Sequence, residues 1–169
     1  MGAFKKADFY YGAFLSLLIY KGLCPALIEK EKESNRRRFQ ITTNTDSYEF
    51  YCKYMSNPTG STNPTWAFSF TDKERRELTK LLQTNKKVIF ALICTQKKLT
   101  SSLQELALIE KQDFLKCVDF NTYKESTPRI SVKVVKNSDK LRIWGNKRPD
   151  KIGKDDNTIK IERNKINIL

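Results

Sequence analysis

The segment SYEFYCKYMSNPTGSTNPTWAFSF, residues 47–70, holds two aromatic runs of strand period on either side of a loop rich in Asn, Pro, Gly, Ser and Thr. A strand sends successive side chains to opposite faces, so Tyr48, Phe50, Cys52 and Tyr54 share one face of the first run, and Glu49, Tyr51, Lys53 and Met55 the other. Trp66, Phe68 and Phe70 share a face of the second run. Rings at this spacing supply the apolar area that a small domain needs for a core, and the two strands are expected to pair across the loop as one aromatic wall. Glu49 and Lys53 lie four positions apart on their strand, about 13 Å at ~3.3 Å per residue, too far for a direct pair. A solvated strand face is the expectation for both.

Outward from this segment the signals alternate between helix and strand. Residues 7–20 are apolar on every side except at Asp8, Gly12 and Ser16, which predicts a helix buried by other elements. PALIEKEKESNRRR, from Pro25, reads as an exposed connection or strand end, followed by a strand over 39–43. After the wall, Thr71-Asp72-Lys73-Glu74 matches a capping box, and Leu78, Leu81 and Leu82 give the helix behind it one apolar stripe. KKVIFALICT, 86–95, is a continuous apolar run and reads as a central strand buried on both faces. A short strand over 106–110 and a short helix over 113–119 come next, with Ser102 and Glu105 offering an earlier helix start. Ile130, Val132 and Val134, a turn at Asn137-Ser138-Asp139, then Leu141 and Ile143 form a hairpin signature. Residues 145–157 lack periodicity and read as a loop, and 158–169 as one or two edge strands.

A chain of 169 residues suits one domain. The fold class expected is α+β: a mixed, mainly antiparallel sheet with an αβββαβ-like core over about 5–119, and a basic, β-rich C-terminal part over about 120–169 carrying the hairpin. Thirty-two Lys and Arg against nineteen Asp and Glu leave a net charge of +13. Such a field draws polyanions, whether nucleic acid or an acidic protein.

No apolar run reaches the ~18 residues of a membrane span, and residues 9–20 behind Lys5 and Lys6 lack a signal-peptidase site, so no membrane partner is expected and a cytoplasmic location is. Cys24, Cys52, Cys94 and Cys117 form no CxxC pair, and the chain has no histidine. Structural zinc is therefore not expected, a Ser-His-Asp triad and an HExxH site are excluded, and no P-loop or dinucleotide fingerprint occurs. No cofactor is expected.

The order helix, three strands, helix, strand over residues 7–95 resembles the core of PD-(D/E)xK nucleases. That resemblance implies Mg²⁺ held by acids on the second and third strands, with a lysine polarising the attacking water. Asp46, Glu49 and Lys53 would be the residues concerned, whereas TWAFSF, the third candidate strand, carries neither acid nor lysine. Lys53-Tyr54, WAFSF and ALIC also resemble a pattern in uncharacterised bacterial proteins, over about 47–120, and single out Lys53 and Trp66. Lys, Asn and Ile usage fits a low-GC bacterial or phage origin.

Two basic clusters stand out as phosphate ligands. Arg36, Arg37 and Arg38 form the densest run, with Lys53 downstream of it. Arg142, Trp144, Lys147 and Arg148 place an indole among cations near the hairpin end. The residues favour a non-catalytic nucleic-acid-binding accessory protein over two alternatives, a divergent Mg²⁺ nuclease and an interaction module docking an acidic partner.

Overall fold

The computed structural model describes residues 3–29, 36–42, 46–98, 100, 103–121, 126–163 and 165–167. The chain runs α1 (Lys6–Tyr20), β1 (Pro25–Glu29), β2 (Arg36–Thr42), β3 (Ser47–Met55), β4 (Thr65–Ser69), α2 (Asp72–Leu82), β5 (Lys87–Cys94), β6 (Glu105–Glu110), α3 (Lys111–Cys117), β7 (Arg129–Val134) and β8 (Lys140–Gly145). A two-residue-stranded hairpin, β9 (Lys151–Ile152) and β10 (Asp155–Asp156), then precedes β11 (Ile159–Glu162). The α+β class holds, with two principal sheets where one was expected. The first is ordered β1-β2-β3-β5-β6 and the second β11-β8-β7-β4.

Among the described residues every strand pairing is antiparallel except β3 with β5. A parallel pair needs a crossover, and β4 with α2 supplies it. The two aromatic runs therefore do not pair across their loop. β4 leaves the first sheet and joins the second against β7, with Trp66 opposite Val132 and Phe68 opposite Ile130. The single aromatic wall is therefore not formed: Trp66, Phe68, Ile130, Val132 and Ile143 of the second sheet face Tyr51, Phe90 and Leu92 of the first across a core, while Phe50 and Cys52 pack on the opposite face of β3 against α1. The C-terminal strands are thus completed by a strand from the N-terminal half.

β5 is central and buried on both faces, as its continuous apolar run predicts. Ile89 and Ala91 meet α1, along with Phe39, Ile41, Phe50 and Cys52. Only one side of α1 is covered by the described residues. Tyr10, Tyr11, Phe14 and Leu18 are buried, whereas Phe9, Leu17, Ile19 and Tyr20 are exposed, so the fully enclosed helix expected from its composition is not found. α2 starts at the expected capping box, with the Thr71 hydroxyl accepting from the Glu74 amide and the Glu74 carboxylate accepting from the Thr71 amide at 2.8 Å. The stretch 145–157 is not wholly loop, since Gly153 at φ 61° turns β9 into β10. Ser102 lies outside the described residues. No described helix is long and apolar enough to cross a membrane.

Candidate functional site

Two charged regions could carry function, one between the layers and one on the outside. The inner one gathers on the β3 face that the sequence assigns to solvent. Glu49 and Lys53 are instead 1% and 7% exposed, because α2 and the second sheet cover that face. Lys53 Nζ donates to Glu74 Oε1 at 2.7 Å, to Glu74 Oε2 at 2.9 Å and to the Ser69 carbonyl at 2.7 Å. Tyr51 donates its hydroxyl to the same Glu74 at 3.0 Å. Burial works against the Glu74 charge, but the bonds and charge of Lys53, with the Thr71 amide and the Tyr51 hydroxyl, outweigh it and hold the carboxyl below its ordinary pKa. Burial, with the Glu74 charge beside it, raises the Tyr51 pKa and keeps its hydroxyl protonated.

A second knot adjoins it. Arg38 donates to Glu49, its Nε at 2.7 Å, and reaches Glu77 of α2 at 3.0 Å. Arg36 is ion-paired with Glu77, and Lys86 with Glu49. Asp46 lies apart, paired with Lys87. The three residues of the nuclease resemblance are therefore held by three different sets of partners. Glu49 and Glu74 each spend their oxygens on cations of the chain, and among the described residues no three His, Cys, Asp or Glu are grouped to hold a metal ion. A hard cation needs clustered free oxygens, and this region offers ion pairs instead.

The run of arginines divides by strand alternation. Arg36 and Arg38 turn inward to α2, while Arg37 turns to the other face, its guanidinium 5.1 Å from the centre of the Tyr11 ring on α1. As surface phosphate ligands, Arg36 and Lys53 are corrected: both are enclosed and already paired. Arg37 stands on the α1 side of the first sheet, the far side of the molecule from the outer face of the second sheet. The two basic clusters do not merge.

That outer face is the other region. Ile130, Val132 and Val134, with Leu141, Ile143 and Ile161, point into the core, so the residues between them point out. Register then aligns Thr65, Lys133, Arg142 and Lys160 side by side across β4, β7, β8 and β11. The next row aligns Ala67, Ser131 and Trp144, and Arg129 stands opposite Ser69 in the row beyond. Lys133 and Lys160 thus flank Arg142 on both sides.

Like charges directly opposite one another destabilise a sheet by roughly 0.2–1 kcal/mol per pair. Ordinary surfaces relieve such contacts with acids, as Lys140 and Glu162 do one row away. Among the described residues Lys133, Arg142 and Lys160 have no ion pair, and Arg142 Nη1 is enclosed without a hydrogen-bond partner. Asp156 of β10 is a counter-charge on which Arg142 and Lys160 act. Its carboxyl lies below the ordinary range chiefly because Thr158 donates to it through hydroxyl and amide, with smaller help from Arg142 and Lys160.

Trp144 is half-buried in this face and has no hydrogen bond, ring contact or cation contact among the described residues. Trp66 differs: it is fully buried and its indole donates to the Thr95 carbonyl at 2.7 Å. The backbone fixes where Trp144 stands. A Cβ on Gly145 would meet the Cys117 carbonyl oxygen at 2.3 Å and that of Arg129 at 2.5 Å, so only glycine lets β8 end against α3 there. Asn146 then bonds back to the Arg129 carbonyl at 3.2 Å, and the Lys147 amide to the Cys117 carbonyl at 3.0 Å. Lys147 and Arg148 are occupied by that turn, their side chains donating to the Leu115 carbonyl at 3.3 Å and the Asn157 carbonyl at 2.5 Å.

Arg142 and Trp144 were legible as a pair in the sequence. Lys133 and Lys160 were not, because only the register of β7, β8 and β11 brings them to Arg142. Comparison with protein-family models, curated proteins and solved structures finds no match.

Proposed function

We propose that this protein binds nucleic acid without catalysis, on the outer face of the second sheet. The observation that carries this reading is the row Lys133, Arg142, Lys160: three cations in register, unpaired among the described residues, beside an outward indole. Folding leaves these charges facing one another, and a polyanion removes the repulsion by neutralising them together. Phosphates suit the row, since guanidinium and ammonium groups fix a backbone by charge without reading its sequence. The +13 field brings the polyanion in.

The test is fluorescence anisotropy of labelled oligonucleotides against salt. Neutralising three to four phosphates gives a slope of log K against log salt of roughly −2 to −3 for a single strand. Changing Lys133, Arg142 and Lys160 together to Gln should flatten that slope by about two units. Absence of binding at low salt, or an unchanged slope in the triple variant, removes this face as the site; retention of an acidic protein alone would do the same for nucleic acid.

A further inference from the structure

Resting on the reading just given, we infer that the ligand is a single strand, laid along the Lys133–Arg142–Lys160 row with one unpaired base stacked on Trp144. The indole decides the form of the nucleic acid. In a duplex each base already has neighbours on both faces and offers only its edge in a groove, so an indole on a sheet face finds no base face to stack on. A single strand can turn a base out, and every base has a π face for an aromatic ring.

The spacing suits one nucleotide step. Arg142 and Trp144 are two residues apart on β8, about 7 Å, so a phosphate on the guanidinium leaves its base within reach of the ring. Neighbouring strands are ~4.8 Å apart, which puts Lys133 and Lys160 about 10 Å from each other with Arg142 between them, enough for consecutive phosphates of a curved backbone. Around the ring the neighbouring side chains are small, Ser131 at 7% exposure and Ala67 exposed. Ser131 is opposite on β7, Ala67 follows on β4, and the ladder of β11 stops at Ile159, opposite Ile143, short of Trp144. A base therefore has room to lie over the indole. Asp156 repels phosphate at the β10 end of the row, so the backbone is drawn toward β7 and Arg129.

The chain carries its own reporter. Trp66 and Trp144 are the two tryptophans, and Trp66 is sealed in the core. Quenching by a ligand on the sheet face therefore reads Trp144, while Trp66 emission reports that each variant is folded.

The experiment titrates the full chain with a twelve-nucleotide oligo(dT) and a duplex of the same length at matched salt, and repeats it with Trp144→Leu, Trp144→Phe and Arg142→Gln. Single strand should bind about ten-fold tighter than duplex and quench Trp144. Trp144→Leu should lose roughly ten-fold for the single strand, with duplex affinity unchanged, and Trp144→Phe should recover most of the loss. Arg142→Gln should weaken both ligands. Equal affinity for the two forms, with Trp144→Leu indifferent, overturns the single-strand inference and leaves the nucleic-acid reading standing. No binding of either form overturns both.

Discussion

Replacing Glu74 by alanine deletes the acceptor that Lys53, Tyr51 and the Thr71 amide share. The lysine keeps the Ser69 carbonyl and the Phe70 ring, whose centre is 5.1 Å from Nζ, inside a region where it is 7% exposed. Removing one partner of a buried ion pair costs about 3–5 kcal/mol, and losing the capping box adds about 1. The total, roughly 4–6 kcal/mol, takes a large share of the ~5–15 kcal/mol that holds a domain together. At about 2–4 °C per kcal/mol for a chain of this size, the melting temperature should fall by roughly 10–20 °C.

Lys53→Met should cost less, about 3 kcal/mol, because the stranded carboxylate keeps the donors Tyr51 and Thr71. The double variant Lys53→Met, Glu74→Ala should then be milder than the sum of the singles by about 2 kcal/mol, since neither charge is left alone. Urea unfolding followed by Trp66 emission measures all three. The acid limb adds a sign: with its folded pKa lowered, Glu74 contributes stability that is complete above about pH 4.3, the unfolded value, and is lost as pH falls through the folded value. Glu74→Gln should remove that part of the acid sensitivity. A cost for Glu74→Ala below about 1 kcal/mol, or strict additivity in the cycle, would refute the view that this pair locks α2 onto the sheet.

Three further outcomes are expected. Lys133→Gln or Lys160→Gln should raise stability by a few tenths to about 1 kcal/mol while weakening oligonucleotide binding, and Asp156→Asn should tighten it; anisotropy beside thermal melts separates the two effects. Gly145→Ala should destabilise by about 1–3 kcal/mol through the clash with two carbonyls, read by urea midpoint. Cys24 is exposed, Cys52 and Cys94 are pushed well above the ordinary thiol range by burial, and burial raises Cys117 to about 11. A thiol reagent at pH 8 should therefore label Cys24 in the folded chain and reach the other three only on unfolding.

Much of the local structure was written in short-range pattern. The capping box at Thr71 and Glu74, the continuous run of β5 and the alternation of β7 and β8 each specify an element through its own hydrogen bonds and periodicity, so they were legible one by one. What failed were inferences about what covers an element. α1 is apolar on nearly every side, yet one side lies open, and Glu49 and Lys53 look like a solvated face until α2 and the second sheet close over them. β4 was readable as a strand, but its partner β7 lies more than sixty residues away.

The sequence by itself settled the charge and the class, because composition and period need no partner. The choice of partners was tertiary: which strand β4 joins, which acids neutralise Arg36, Arg38 and Lys53, and which cations come to stand beside Arg142. Burial and register depend on segments meeting across distances that no local window spans, and a one-residue slip of β7 against β8 would turn Lys133 into the core and break the row of cations.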